Sequence, residues 1–310
     1  MDKRFAVTHS EDIKFFENSE LTSLFHGYMH KFYKKTDLFV IKKNAYAFFQ
    51  HLLQRFRFSF KRHFVDIRRS SDSVQLKYEG IWDQMEWSEL LQDHPREYFI
   101  RWRDRYYLGN VWALPRVHLA FLEKIIAHYR PQKVLEVGSG RGLNLILLAA
   151  RFPEIEFTGL ELSESGVLWA EKVDSDSNLP PELLRFSPFK WNGPRIPGKV
   201  HFVQGTATKL PFADMHFDLV YTRQALEQME PYRDQVFSEI HRVCNRVGVF
   251  IEAFRDWNKS GTRRHRIIAK DYFSARISDL RGYGFEPVFT KNDLPTKSYM
   301  NVGLVIARKI

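Results

Sequence analysis

Cysteine is almost missing: Cys244 is the only one in 310 residues. That excludes an intramolecular disulfide framework and a cysteine-built metal site, so no metal is expected. It also fits a reducing compartment. Long apolar runs are missing too. The longest clean stretch, Leu145 to Ala150, falls far short of the roughly 20 residues that span a bilayer. The opening MDKRFAVTHSEDIKFF lacks the apolar core of a secretory signal. There is no internal repeat and no low-complexity tract. With 44% apolar and 27% charged residues, wholesale disorder is excluded. The expected location is the cytoplasm, with peripheral contact at the inner membrane surface left open.

Basic charge and aromatic rings are in excess. The net charge is +10, and aromatics reach 15% with 27 Phe. Residues 1–70 carry 14 Lys/Arg against 7 Asp/Glu, residues 71–114 carry 5 against 8, and residues 115–310 carry 28 against 22. Such a surplus favours polyanionic partners (nucleic acid, anionic lipid or a phosphorylated substrate) without choosing among them.

From Pro115 onward the pattern alternates. Pro115–Tyr129 has a helical apolar face and is stopped by Pro131. Strands are expected at Lys133–Val137, Glu156–Leu162, Val200–Gln204, Phe217–Thr222, Val247–Ala253, Phe285–Thr290 and Val302–Arg308. Helices fit Leu143–Arg151, Glu164–Val173, Tyr232–Val243 and Asp271–Arg281, with Cys244 beside Ile240 and Val243 in the core. Strands alternating with helices imply an α/β fold: a seven-stranded, mostly parallel, doubly wound sheet of Rossmann-like type. Residues 174–199 hold five prolines and are too long for an ordinary connection. They read as an insertion bordering the active site, or as a solvated loop.

Residues 1–114 read as a separate, mainly helical domain. Ala45, Phe48, Phe49, Leu52, Leu53, Phe56, Phe60 and Phe64 follow steps of three and four, one face of a helix. Strand alternation is suggested only at Ser73–Tyr78. The aromatic face is expected to pack inward, since 114 residues need a core; lying on an anionic membrane is the alternative.

The most informative segment is VLEVGSGRG, Val134 to Gly142. Glu136 sits near the end of a strand, and Gly138, Gly140 and Gly142 follow in the loop that opens a helix. Glycines there allow a tight turn and a ligand lying on bare backbone. A dinucleotide site wants G-x-G-x-x-G, but the third glycine position is Leu143. A carboxylate beside the loop repels pyrophosphate and suits a ligand bearing an ammonium group, such as the methionine end of S-adenosylmethionine.

With these motifs, residues 115–310 resemble a class I S-adenosylmethionine-dependent methyltransferase of the ubiquinone/menaquinone-biosynthesis type. FTGLELS places Glu161 nineteen residues past Gly142, while QGTATKLPF and FDLVYTRQALEQM are similar to that family's later motifs. The resemblance implies S-adenosylmethionine as cofactor. It implies that Glu136, Gly138, Gly140 and Gly142 surround its aminocarboxypropyl end and Glu161 holds the ribose diol. Leu162, Thr206 and Ala207 would then border the adenine, and Thr222 would present backbone near the amino group. Two departures stand out. The family's usual Asp is Thr206 here, and its usual His is Gln228, a neutral amide that is no general base near pH 7. The customary P-G-G turn is Arg246-Val247-Gly248.

Glu227 is the best-placed candidate base, with a helix-terminal carboxylate as the bland reading. Arg263, Arg264, His265 and Arg266 form a basic segment after the fifth strand, able to grip an anionic acceptor or merely be solvated. No N-P-P-Y-type tetrapeptide or Pro-Cys pair occurs, which weakens nucleobase methylation. Aromatics between Trp102 and Trp112 suggest a lid. The expected activity is methylation of a small-molecule, glycan or lipid-linked acceptor, O-methylation ahead of N-methylation. The alternatives are an RNA or protein methyltransferase, or a methyltransferase-like module that binds without turnover.

Overall fold

A computed structural model describes residues 16, 18–64, 70–82, 97–110, 112–175, 179–190 and 200–310. The large sheet contains β4 (Lys133–Val137), β5 (Glu156–Glu161), β6 (Val200–Gln204), β7 (Phe217–Arg223), β8 (Cys244–Glu252), β9 (Phe285–Lys291) and β11 (Gly303–Lys309), in the order β6-β5-β4-β7-β8-β11-β9. Only β11 runs against its neighbours; the four pairings in the series β6 to β8 are all parallel, and β9 runs the same way, which leaves a mostly parallel sheet. The expected seven-stranded doubly wound sheet is what forms. The chain reverses its order of addition between β4 and β7, so a crevice opens at the carboxyl ends of those strands.

Sequence explains the helices beside it. Helix α4 (Ala113–Tyr129) buries Val117, Leu119, Leu122 and Ile126 and ends at Arg130, a left-handed cap before Pro131. Helix α5 (Leu143–Arg151) buries every residue from Asn144 to Ala149 and puts Arg151 on its negative end. Helix α6 (Glu164–Asp174) follows β5, and α8 (Arg233–Val243) precedes β8. Phe157, Phe217, Phe237 and Phe250 are fully buried between the layers, each contributing about 1.5–3 kcal/mol.

The N-terminal part is mainly helical, with α1 (Asn18–His26), α2 (Leu38–Phe64) and α3 (Ser71–Trp82), but it also holds strands that the sequence did not announce. β1 (Met29–Lys34), β2 (Glu97–Trp102), β3 (Arg105–Asn110) and β10 (Thr296–Lys297) form a second sheet in the order β1-β3-β2-β10. Thus a two-residue strand from the C-terminal part completes an N-terminal sheet. The suspected strand at Ser73–Tyr78 is helix α3.

The inward reading of the aromatic helix face is overturned for most of its rings. Phe49, Leu53, Phe56 and Phe60 are 60–69% exposed, and Tyr46 joins them at 70%. The reason is that α2 has two faces. Asn44, Phe48, His51 and Arg55 face the protein: Asn44 donates to the Tyr106 hydroxyl, Phe48 meets the His265 ring edge-on, and Arg55 reaches His265 Nδ1 at 3.1 Å. The Tyr46-Phe49-Leu53-Phe56-Phe60 stripe is left on the other side. Arg68 and the side chains of Arg62 and Phe64 lie outside the described residues.

Three further expectations are corrected. The basic segment Arg263–Arg266 is not a solvated stretch but lies in α9 (Gly261–Ala269), which buries Ile267 and meets α2 where Arg55 and Phe48 contact His265. The helix expected at Asp271–Arg281 is a 3₁₀ segment, Ile277–Tyr283, ended by left-handed Gly284. Cys244 opens β8 rather than continuing α8, though it is core as expected. In the insertion, α7 (Pro181–Phe186) buries Leu183 and Phe186. Its carbonyls are held by Arg116, and Phe186 meets Trp112 edge-on at 6.2 Å. Residues 191–199 of that insertion lie outside the described residues.

Candidate functional site

The crevice between β4 and β7 is a cavity of about 360 Å³, within the range of small-ligand pockets. One end is the glycine loop. Gly138, Gly140 and Gly142 all take positive φ (79°, 56° and 69°), which glycine adopts without steric cost. A Cβ on Gly138 would stand 2.6 Å from the Ala225 Cβ, so the loop and the β7 end approach as closely as they do only because that atom is missing. Gly138, Ser139, Gly140 and Arg141 line the cavity, whereas Gly142 turns the chain into α5. The Arg141 guanidinium lies over the Trp169 ring.

Glu136 is fully enclosed beneath this loop. Its Oε1 accepts from Asn144 Nδ2 at 2.8 Å and its Oε2 from the Tyr221 hydroxyl at 2.9 Å. Burial pushes its carboxyl up to about 7, against the pull of those two donors. Glu161 ends β5. It accepts from the Gly140 N–H (2.9 Å), the Ser163 N–H (3.1 Å) and the Ser163 hydroxyl (2.6 Å), so it ties the loop to the start of α6. Leu162, Thr206 and Ala207 line the same wall. Thr206 shares a hydroxyl contact with Thr208 at 2.9 Å. Thr222 does not line the cavity. It lies inside β7, fully buried, and its neighbours Arg223, Gln224 and Ala225 form the surface instead.

The same cavity is also lined by residues from distant parts of the chain: Val74 and Tyr78 of α3, Trp112, Arg223, Glu227 and Lys297. Glu227 Oε1 accepts from Gln228 at 3.4 Å, Oε2 has no partner, and burial raises its carboxyl. Behind it, Glu252 accepts the N–H groups of Ala225 and Leu226 and is pushed up to about 8 by burial and by Glu227. Helix α3 is fastened across the mouth by Glu79, whose carboxylate accepts the N–H groups of Glu164 (2.7 Å) and Ser165 (2.9 Å) at the start of α6. Of the Trp102–Trp112 run, from which a lid was expected, Trp112 lines the cavity, together with Val74 and Tyr78 of α3. Arg263, Arg264, His265 and Arg266 do not line the cavity.

Sequence reasoning missed Asn144 and Tyr221 as holders of Glu136, and missed Arg223 and Lys297. Asn144 carried a signal, a polar residue eight positions after Glu136 on an otherwise apolar helix. Lys297 carried none.

A methyltransferase-domain family profile matches residues 135–251. The malonyl-[acyl-carrier protein] O-methyltransferase of Laribacter hongkongensis is 32% identical over 130 residues, 41% of this chain and 39% of that protein. The fatty-acid O-methyltransferase of Mycolicibacterium smegmatis is 29% identical over 120 residues, 39% of this chain and 36% of that protein. The match therefore spans less than two fifths of the length of each of these relatives. Magnesium protoporphyrin IX methyltransferase of Synechocystis PCC 6803, solved with bound SAH, covers 77% of this chain and 99% of its own at 12% identity, with a TM-score of 0.50. At that identity the likeness is one of fold alone.

The chain carries a class I S-adenosylmethionine-dependent methyltransferase domain, and S-adenosylmethionine is that domain's cofactor. The residues present fit it. The loop is a cradle that a Cβ on Gly138 would obstruct, and Glu161 stands at the β5 end beside it. Glu136, whose carboxyl burial holds at about 7, gives up its proton readily beside an ammonium group.

Proposed function

We propose that the protein transfers the methyl group of S-adenosylmethionine to an oxygen atom of a small-molecule or lipid-linked acceptor. The observation that carries this reading is a single cavity lined both by the glycine loop and Glu161, which we assign to the donor, and by Trp112, Arg223, Glu227 and Lys297, which we assign to the acceptor. When bound, S-adenosylmethionine supplies a methyl group already activated by its sulfonium. The chain's own work is to align the acceptor oxygen and exclude water. Val74, Tyr78 and Trp112 close the acceptor end over the strand ends. If the acceptor is a hydroxyl, its proton goes to Glu227, which has an unpartnered oxygen in the cavity. The names of the two curated relatives, both O-methyltransferases, support oxygen over nitrogen.

The exposed face of α2 supports a lipid setting. The helix contains Lys42, Lys43, Arg55, Arg57, Lys61 and Arg62 and no Asp or Glu. No described helix is long and apolar enough to cross a membrane. We therefore propose that α2 rests on an anionic lipid surface by its aromatic stripe.

Calorimetry with S-adenosylmethionine, together with methyl-labelled donor and cell extract, tests the activity. Donor binding and transfer of label are expected. Donor binding without transfer to any extract component refutes catalysis and leaves a binding module.

A further inference from the structure

A second cavity, of about 340 Å³, adjoins the first. Val74 of α3 and Gln228 line both. Burial gives the second cavity a direction. Gln228, where the two meet, is buried; Phe58 of α2 and Ala269 of α9 are half-buried; Lys77 and Lys270 are exposed. It therefore runs from solvent, between α2, α3 and the end of α9, to the neighbourhood of Glu227, which accepts from the Gln228 amide at 3.4 Å. Its rim is basic: Lys77 and Lys270 stand against Asp271 alone among the described residues that line it. Helix α2 sets the level of this opening. Its outer side carries the exposed Phe49, Leu53, Phe56 and Phe60, while Phe58 on its inner side borders the cavity. A helix with its side chains is about 10–12 Å across, and an amphipathic helix at a membrane sinks about 5–10 Å into the boundary of headgroups and acyl chains. With the aromatic stripe seated in that way, the opening on the other side of α2 stands at the level of the lipid phosphates.

We infer that the second cavity is the entry and phosphate-binding site for a phosphate-bearing lipid. The tail stays in the bilayer beneath α2, Lys77 and Lys270 hold the phosphate, and the headgroup beyond it reaches past Val74 and Gln228 to be methylated on an oxygen. This rests on the methyltransferase and membrane readings above and names their acceptor. Each ammonium offers three N–H donors, and a phosphate stays ionised at neutral pH. Neither lysine lines the first cavity, so the group they hold is not the atom that is methylated. In the transfer, a headgroup hydroxyl oxygen bonds to the methyl carbon as the carbon–sulfur bond breaks. That bond's electron pair stays on sulfur, and the hydroxyl proton passes to Glu227. The lysines meet the same phosphate before and after transfer, so their contribution falls on binding and not on the chemical step. A lipid anchored by tail and phosphate presents its headgroup to the first cavity in one direction only, which is the alignment that transfer needs.

The test offers the acceptor from two sources. The full chain is incubated with methyl-labelled S-adenosylmethionine and vesicles of phosphatidylserine and phosphatidylcholine that carry a total lipid extract of cells, and in parallel with the water-soluble extract. Labelled lipid that an anion exchanger retains at about pH 2, where carboxyls are protonated and phosphates are not, is expected. Labelled lipid that passes through the exchanger, or label confined to the water-soluble extract, would overturn the phosphate-lipid assignment and leave methyl transfer standing. Donor binding with no label transferred from either source would overturn the methyltransferase reading as well. The variants are compared with vesicles in excess, so that all of the protein is bound. Replacing Lys77 and Lys270 together with Gln should raise the acceptor mole fraction at half-maximal rate roughly tenfold or more and leave the maximal rate near that of wild type; Arg at both positions should restore part of the loss. An unchanged mole fraction would refute the phosphate site. Ala269→Trp fills the second cavity from a position that does not line the first and should cut transfer to vesicle-borne lipid; undiminished transfer would show that the acceptor enters elsewhere. Donor affinity by calorimetry should stay unchanged in every variant, which also establishes that they fold.

Discussion

Replacing Phe49, Phe56 and Phe60 together with Ser should abolish binding to anionic vesicles and leave the fold intact. These rings are 62%, 64% and 69% exposed, so about two thirds of each ring's burial free energy is still available. Full burial of such a side chain is worth about 1.5–3 kcal/mol. The three rings then offer about 3–6 kcal/mol, or roughly a 10²- to 10⁴-fold change in partitioning at about 1.4 kcal/mol per tenfold. Lys42, Arg57 and Lys61 are also exposed on α2, each worth about 1 kcal/mol near an anionic leaflet. The assay is co-sedimentation with phosphatidylserine-containing and neutral vesicles, beside an RNA shift assay. Wild type should bind anionic vesicles at low salt, and weakly or not at all at about 1 M, where the Debye length shrinks to about 3 Å. The melting curve should barely change, because surface substitutions usually fall within about 0.5 kcal/mol. Wild type ignoring anionic vesicles at low salt refutes the reasoning, as does a triple variant that binds undiminished. Binding to RNA instead would transfer the surface to a nucleic-acid partner.

Glu161→Ala should weaken S-adenosylmethionine roughly tenfold or more by calorimetry, through lost ribose contacts and the freed Gly140 and Ser163; an unchanged dissociation constant removes Glu161 from the site. Donor binding should release a proton, because an incoming ammonium favours the carboxylate of Glu136, whose carboxyl stands at about 7. Affinity should therefore rise with pH toward about 7 and then level off, and calorimetric heats should differ between buffers of different ionisation enthalpy; identical heats refute it. Gly138→Ala, at φ 79° and 2.6 Å from Ala225, should destabilise by about 1–3 kcal/mol, read as a lower melting temperature. Glu79→Ala should loosen α3 from the start of α6 and raise protease cleavage within α3, with little effect on the sheet; unchanged cleavage would show that the carboxylate does not fasten the lid.

The glycine-loop side of the cavity was legible because it is local. Glu136 and the three glycines lie within seven consecutive residues, and Glu161 ends the next strand. Each needs only its own strand and loop to reach its place. The rest of the lining is assembled from α3, Trp112, β7 and β10, and nothing in the sequence joins a two-residue strand to β2. The direction of the α2 stripe was illegible for another reason. Phe48, His51 and Arg55 on the inner face, and Phe49, Leu53, Phe56 and Phe60 on the outer, obey the same steps of three and four. Periodicity identifies a face but not what lies against it. In GTRRHR, the cluster of charges masked a helix whose docking rests on Ile267 and the α2 contacts.

The pairing of β10 with β2 puts one charged residue of the cavity lining, Lys297, on a different sheet from the glycine loop. Lys297 faces Ile100 across that pairing, so substitutions in the β2–β3 hairpin move the lysine without touching the strands that hold the glycine loop. A lineage, or an engineer, could rework residues 97–110 and so reshape the cavity around Lys297 while the glycine loop stays as it is. The N-terminal sheet is in that sense a second handle on the cavity, joined to the larger body by β10, by Trp102 donating to the Asp293 carbonyl and by the Arg103–Asp293 ion pair.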